Sequence, residues 1–229
     1  MHAEISMEQL ASAIGIRGAS EDAALVAALK AGSEEAFGVL IAHYSQPLYS
    51  LIARSLQDPA DAQDITQEVF IKVFRSIGSF HGEASLRTWL YRIALHEASN
   101  QRRWWSRHKR QELTIDTPAG ANDASDGDEA MCLGSLLADK AGSPYDHAAM
   151  SELRARVDDC LRRLPEAFRT VVVLREMEGF CYEEIGEVLD LPAGTVKSRL
   201  KRGRAALKEI LIADGLGSVL GEVLAGGAQ

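Results

Sequence analysis

Lys197, Lys201, Arg202, Arg204 and Lys208 crowd into residues 197–208. Such a cluster has one obvious chemistry, the neutralisation of phosphates along a nucleic acid. Between them Val196, Leu200, Gly203 and Leu207 recur at helical spacing and form a single apolar or small stripe. A shorter helical pattern precedes it. There Ile185, Val188 and Leu189 face one way, and Glu183, Glu184 and Glu187 take the wet side. Asp190-Leu191-Pro192-Ala193-Gly194 separates the two, because proline lacks a donor and glycine loosens the backbone. Short helix, tight turn and basic helix predict a helix-turn-helix whose second helix can enter the major groove of DNA. Gly194-Thr195 is expected to open that helix, where a capping hydroxyl and free amides favour a phosphate. The plainer reading is a helical hairpin with a solvated basic face. The charge polarity, acidic on the first helix and basic on the second, favours DNA.

A second cluster lies in NQRRWWSRHKR, residues 100–110, where Arg102, Arg103, Arg107, Lys109 and Arg110 interleave with Trp104 and Trp105. Cationic groups that track a backbone, beside rings that stack on unpaired bases, suit single-stranded nucleic acid. The competing reading makes Trp89 a core residue and the tryptophan pair a cap on the end of a bundle.

Other chemistries find little support. His43, His81, His96, His108 and His147 lie far apart, and no CxxC or HxxxH spacing links them with Cys132, Cys160 and Cys181. No metal site, cofactor or catalytic constellation is expected, so the chain does not read as an enzyme. The three cysteines cannot all pair and read as reduced thiols of a cytoplasmic protein. No apolar run reaches the length of a membrane span, and no secretory signal pattern opens the chain. The formal net charge is −8, which argues against a protein that coats nucleic acid unaided. Basic charge must instead be confined to patches, or DNA must be bound with a partner's help.

The elements that position these clusters are all helical. Asp22 to Lys30 carries Leu25, Ala28 and Leu29 on one face, and Gly32-Ser33 ends it. Ser33-Glu34-Glu35-Ala36 resembles an N-cap with acid in the first turn. Phe37, Leu40, Ile41 and Tyr44 follow, and the apolar face continues beyond Pro47 through Leu48, Leu51, Ile52 and Leu56. Asp58-Pro59 is expected to restart helix as a capping acid with proline at the first position. In residues 61–80 Ile65, Val69 and Val73 form a stripe joined by Phe70, Phe74 and Ile77. Asp61, Asp64, Gln67 and Glu68 make the opposite side, either a solvated face or a protein-docking face. After a loop from Gly78 to Ser85, Leu86, Leu90 and Ile93 define a helix that runs into the tryptophan cluster. Asp116, Asp123, Asp126, Asp128 and Glu129, set among Gly, Ala, Ser and Pro118, read as a flexible acidic linker. Helix is expected again from Ser151, with Val157, Cys160, Leu161 and Leu164 on the core stripe. Pro165-Glu166 starts another helix, holding Phe168, Val171, Val172 and Leu174, that Gly179 ends.

Three segments in order and at the right separation carry a family resemblance. DAQDITQEVFIKVFRSIGSF, FHGEASLRTWLYRIA and LPEAFRTVVVLREMEGFCYEEIGEVLDLPAGTVKSRLKRGRAAL resemble the core-binding, promoter-melting and −35-reading segments of bacterial sigma factors of the extracytoplasmic-function (group IV) class. The resemblance covers residues 21–110 and 151–210. It implies an all-α chain of two small helical domains joined by a flexible acidic linker, the C-terminal one ending in the helix-turn-helix. The expected divisions are an N-terminal extension over 1–20, sigma region 2 over 21–110, linker over 111–150, sigma region 4 over 151–212 and a tail over 213–229.

The resemblance further implies a protein that gives core RNA polymerase its promoter choice rather than an enzyme. Asp64, Gln67, Glu68 and Phe70 would dock on the clamp helices of the polymerase's largest subunit, and the polymerase flap would be a further contact. Thr195, Lys197, Ser198, Lys201 and Arg202 would face the −35 duplex, where long basic side chains suit bases with paired acceptors such as guanine. Arg199 and Arg204 would serve phosphates or internal pairing. The loop Phe80–Ser85, Trp89, His96 and Asn100 would trap unpaired −10 bases, with Arg102 and Arg103 near their phosphates. His96 stands where the family usually has asparagine, which puts the base preference there in question. An anti-sigma partner is implied and membrane insertion is not. Two other classes stay open at this point: a helix-turn-helix regulator that binds palindromic DNA alone as a dimer, and an enzyme with a convergent site.

Overall fold

The computed structural model describes residues 19–56, 59–109 and 144–217, with side chains over 23–56, 60–101 and 151–217. Every regular element among the described residues is helical. They fall into two compact units, one within Met1–Gln101 and the other within Arg102–Gly186 and Asp190–Gln229. The expected linker charges at 116–129, Cys132, the side chains of Trp104 and Trp105, and most of the N-terminal extension and C-terminal tail lie outside the described residues.

In the first unit, α1 (Ala19–Lys30) buries Leu25 and Leu29. It ends at Gly32, which takes φ +79, and there Gly32 N–H donates to Leu29 O and Ser33 N–H to Ala28 O. That pair of bonds is a Schellman closure, which needs the left-handed residue glycine supplies cheaply. Ser33 then caps α2 (Glu34–Ser55): its hydroxyl accepts from Ala36 N–H at 3.2 Å, with Glu34 and Glu35 in the first turn as expected. Ala36, Leu40, Tyr44, Leu48, Leu51 and Ile52 form the buried face, which runs straight through Pro47 without a break in the helix.

Asp58 lies outside the described residues, and Pro59 opens a 3₁₀ turn (Pro59–Asp61) rather than an α-helix. α3 (Ala62–Ser76) packs along α2 and buries Ala62, Ile65, Thr66, Val69 and Val73, followed by Ile77. Phe74 does not join them: it is 63% exposed, with its ring 4.9 Å from that of Phe37. Steps of about 100° per residue place Phe74 with Gln67 and Ile71, away from the core, so its position on the helix overrides its apolar character. α4 (Leu86–Lys109) begins where the Ser85 hydroxyl accepts from Thr88 N–H at 3.0 Å. Its buried apolar positions among the described side chains are Leu86, Leu90, Tyr91, Ala94 and Ala98; Tyr91 takes the place expected of Ile93, which stays half-buried.

In the second unit the helix expected from Ser151 starts earlier, since α5 spans Pro144–Arg162. Val157, Cys160, Leu161 and Leu164 are buried, as their spacing predicts. α6 (Glu166–Val172) follows Pro165 and widens into a π turn over Val173–Met177 before Gly179, at φ +70, closes the segment. Val171 and Val172 at the end of α6 and Val173 and Leu174 at the start of the π turn are buried in succession, more than one α-helical stripe holds. α7 (Tyr182–Leu189) and α8 (Ala193–Ala213) complete the unit. α8 packs on both α5 and α6. At its far end Asp214 binds back to α5, accepting from the Arg163 guanidinium through its carboxylate and from Arg156 at 2.6 Å through its carbonyl. The Arg163 hydrogen bond holds the Asp214 carboxyl below its ordinary range, against the pull of burial.

The tightest contact in this packing is at Gly203. A Cβ there would stand 2.7 Å from Val172 Cγ2 and 3.3 Å from both Phe168 Cβ and its carbonyl oxygen. Gly203→Val should therefore lower stability by about 2 kcal/mol or more, since overpacking costs about 1–3 kcal/mol and branching forfeits most of the helix propensity gained over glycine. Urea unfolding followed by circular dichroism measures this, and an unchanged midpoint would show that α6 and α8 have room to part.

Candidate nucleic-acid interfaces

The loop that separates α7 from α8 is short, and local chemistry fixes both of its edges. Cys181 caps α7: its sulfur accepts from Glu184 N–H at 3.5 Å, and the Glu184 carboxylate accepts from Cys181 N–H at 2.7 Å. This is a capping box with sulfur in place of the usual hydroxyl. Burial pushes the Cys181 thiol up, so it remains a thiol at neutral pH. Asp190 ends α7 in the left-handed region at φ 54, and Leu191 N–H closes onto Gly186 O at 2.9 Å. A side chain at 186 would collide with the neighbouring backbone, because a Cβ there meets Leu191 O at 2.8 Å.

Pro192 is the N-cap of α8, and the amides of Thr195 and Val196 both donate to its carbonyl. The helix thus begins at Ala193, one residue before the expected start, and Thr195 sits within the first turn rather than capping it. Proline's fixed φ, here −59, pre-sets the entry. Beneath the helix Val196, Leu200, Gly203, Leu207 and Leu211 are buried. On the other side Lys197, Ser198, Lys201 and Arg202 are exposed together, and Thr195 and Arg199 are half-buried at the margins. The Ser198 hydroxyl is engaged with Thr195 O at 3.0 Å. Arg204 turns inward instead. Its Nε and NH2 donate to Glu176 Oε1 at 2.9 and 2.8 Å, in a pair whose side chains are 12% and 4% exposed. This is the internal pairing given as one alternative for Arg204, and it ties the basic helix to the π turn through a partner that spacing along the chain does not disclose.

In the first unit, helical spacing sets Trp89, His96 and Asn100 on one face of α4. Trp89 is half-buried and leans on Phe80, with ring centroids 5.1 Å apart. Phe80 itself is only 8% exposed, packed against that ring. His96 is exposed and Asn100 half-buried, and Asn100 Nδ2 lies 3.1 Å from His96 Nδ1. The side chains of Arg102 and Arg103 lie outside the described residues, although α4 continues through their backbone. On α3, Asp64, Gln67 and Glu68 are exposed as expected and Phe70 is half-buried. Ile71 and Phe74 share their face and are surface residues that residue type alone does not disclose; the spacing of 67, 71 and 74 is the signal that does. Among the described residues no group of histidine, cysteine and acidic side chains is arranged to hold a metal, and no helix is long and apolar enough to cross a membrane.

Comparison with known proteins follows the same two units. Residues 40–110 match Sigma-70 region 2, and residues 154–207 match Sigma-70 region 4. The chain is 37% identical over 193 residues to RNA polymerase sigma-H factor of Pseudomonas aeruginosa, an alignment covering 83% of this chain and 94% of that protein. It is 38% identical over 187 residues to the ECF RNA polymerase sigma-E factor of Haemophilus influenzae, covering 82% and 93%. Its fold is similar to that of CnrH solved in complex with the cytosolic domain of CnrY, with a TM-score of 0.57, 27% identity and coverage of 86% of this chain and 99% of that one. The chain belongs to the extracytoplasmic-function class of sigma-70 family sigma factors. Its function is accordingly that of a transcription initiation factor, which confers promoter recognition on bacterial RNA polymerase and binds both polymerase and promoter DNA.

Proposed function

We propose that the two units divide one promoter between them. The C-terminal unit, over residues 151–212, holds the −35 element as duplex through Thr195, Lys197, Ser198, Lys201 and Arg202. The N-terminal unit, over residues 21–110, opens the −10 element and retains unpaired bases against Trp89, His96 and Asn100, with Phe80 behind them and Arg102 and Arg103 on the phosphates. Asp64, Gln67, Glu68 and Phe70 dock on the clamp helices of the polymerase's largest subunit. The protein performs no catalysis of its own and works in the cytoplasm, where its polymerase acts. An anti-sigma protein is its natural regulator.

The observation that carries this reading is the sorting of α8 into a buried apolar stripe and an exposed face of Lys197, Ser198, Lys201 and Arg202. A basic face backed by a packed one can enter a groove without loosening the fold. Run-off transcription on genomic DNA with purified core polymerase tests it. Promoter-specific transcripts that require both proteins support the proposal, and specific DNA binding that ignores polymerase would sink it.

His96 offers a finer test. An asparagine places amide donor and acceptor groups closer to the helix than a ring does. His96→Asn should therefore change which −10 base is preferred, by about 1–3 kcal/mol at one position. Open-complex assays over a base-substituted −10 panel measure it, and an identical profile for both proteins would count against contact at this position.

A further inference from the structure

His96 does not stand alone on α4. Its Nδ1 lies 3.4 Å from Glu97 Oε1, and that same oxygen accepts from the Lys72 ammonium of α3. Asn100 Nδ2 reaches the same ring nitrogen from the next turn, at 3.1 Å. These partners make opposite demands. A carboxylate only accepts, so facing Glu97 requires a proton on Nδ1, whereas a donating Asn100 amide requires Nδ1 to be bare. The carboxylate has the stronger claim, because its hydrogen bond is charge-assisted and Lys72 holds it in place. Burial pushes the Glu97 carboxyl up, but hydrogen bonds from Lys72 and His96 outweigh this and hold it below the ordinary range, hence ionised at neutral pH. Asn100 can satisfy the same arrangement by turning its amide through half a rotation, so that Oδ1 becomes a second acceptor for the Nδ1 proton.

We infer that Glu97, clamped by Lys72, is a positioning residue that keeps the His96 proton on Nδ1 and so turns a bare, accepting Nε2 toward the promoter. Neither Lys72 nor Glu97 belongs to the set of expected DNA contacts. At the major-groove edge of an unpaired base, an accepting nitrogen favours adenine or cytosine, which offer an amino group there, over guanine or thymine, which offer a carbonyl. Loss of Glu97 frees Nδ1 to accept from Asn100, moves the proton to Nε2 and reverses the preference. The inference rests on the reading that His96 faces a −10 base, and its test separates the two.

The test uses the full chain throughout. Nitrogen-15 ring shifts of His96 report which nitrogen bears the proton, and the same spectra confirm that each variant is folded. Open-complex formation with core polymerase is then measured on a promoter panel carrying each of the four bases at every −10 position. In the unaltered protein the proton is expected on Nδ1, with an amino-bearing base preferred at one position. Glu97→Ala should move the proton to Nε2 and shift that preference about 10-fold toward a carbonyl-bearing base. Lys72→Ala should shift both readouts in the same direction by less. If Glu97→Ala leaves tautomer and base profile unchanged while His96→Ala flattens the profile, the positioning role is overturned and the contact by His96 stands. If His96→Ala leaves the profile unchanged, both are overturned.

Discussion

Arg204→Ala should remove about 3–5 kcal/mol from the C-terminal unit, the usual consequence of breaking one side of a buried ion pair. The expectation rests on position. Glu176 lies within the π turn at 4% exposure, and Arg204 meets the same carboxylate oxygen through both Nε and NH2. Without the guanidinium a carboxylate whose side chain is only 4% exposed loses its Arg204 partner. The pair need not be a large net source of stability, because desolvating two charges offsets most of their attraction. That distinction can be measured. Urea unfolding of Arg204→Ala and Glu176→Gln should show large losses, whereas Arg204→Met combined with Glu176→Leu should recover much of either. A double variant whose loss equalled the sum of the two single losses would mean that the two side chains stabilise the unit independently. Arg204 lies on the same helix as the exposed Lys197, Lys201 and Arg202 and anchors its middle to the preceding segment.

The second large effect belongs to that face. Replacing Lys197 and Arg202 together with alanine should lower initiation from a −35-dependent promoter by about 100-fold, taking about 1–3 kcal/mol for each side chain removed from a base edge. Both side chains are exposed, and neither covers the buried stripe, so the melting temperature should move little. The single variants sort the roles. A residue that reads a base relaxes specificity at one position, and a residue on a phosphate weakens all sequences alike and lowers the salt slope by about one. Transcription from −35-substituted templates at several salt concentrations checks this. An undiminished rate for the double variant would remove α8 from the recognition surface.

The elements legible in the sequence are those whose physics is local. Val196, Leu200, Gly203 and Leu207 announce their helix by period, Ser33 and the acids after it announce a cap, and Gly32 and Gly179 mark ends by supplying positive φ. Asp64, Gln67 and Glu68 are legible as an exposed face for the same reason. What stays hidden depends on distance along the chain or on unusual chemistry. The Lys72–Glu97 and Glu176–Arg204 pairs join residues 25 and 28 positions apart, beyond the reach of any periodicity. The π turn at Val173–Met177 arises where consecutive apolar residues must all be buried, and the α-helical period cannot announce it. Cys181 reads as a thiol without a role because sulfur is not among the common capping groups, and Phe74 reads as core by residue type alone.

The strict separation of the two faces of α8 has an evolutionary consequence. Positions 196, 200, 203, 207 and 211 meet the fold, and positions 197, 198, 201 and 202 meet solvent. A lineage can rewrite the second set without disturbing the first, so drift at these outer sites is filtered by regulatory fitness and hardly by foldability. After gene duplication, one copy could acquire a new set of target genes through a handful of outer substitutions while its scaffold stayed intact. Gly203 marks the boundary of that freedom, since even a methyl group there reaches across into Val172.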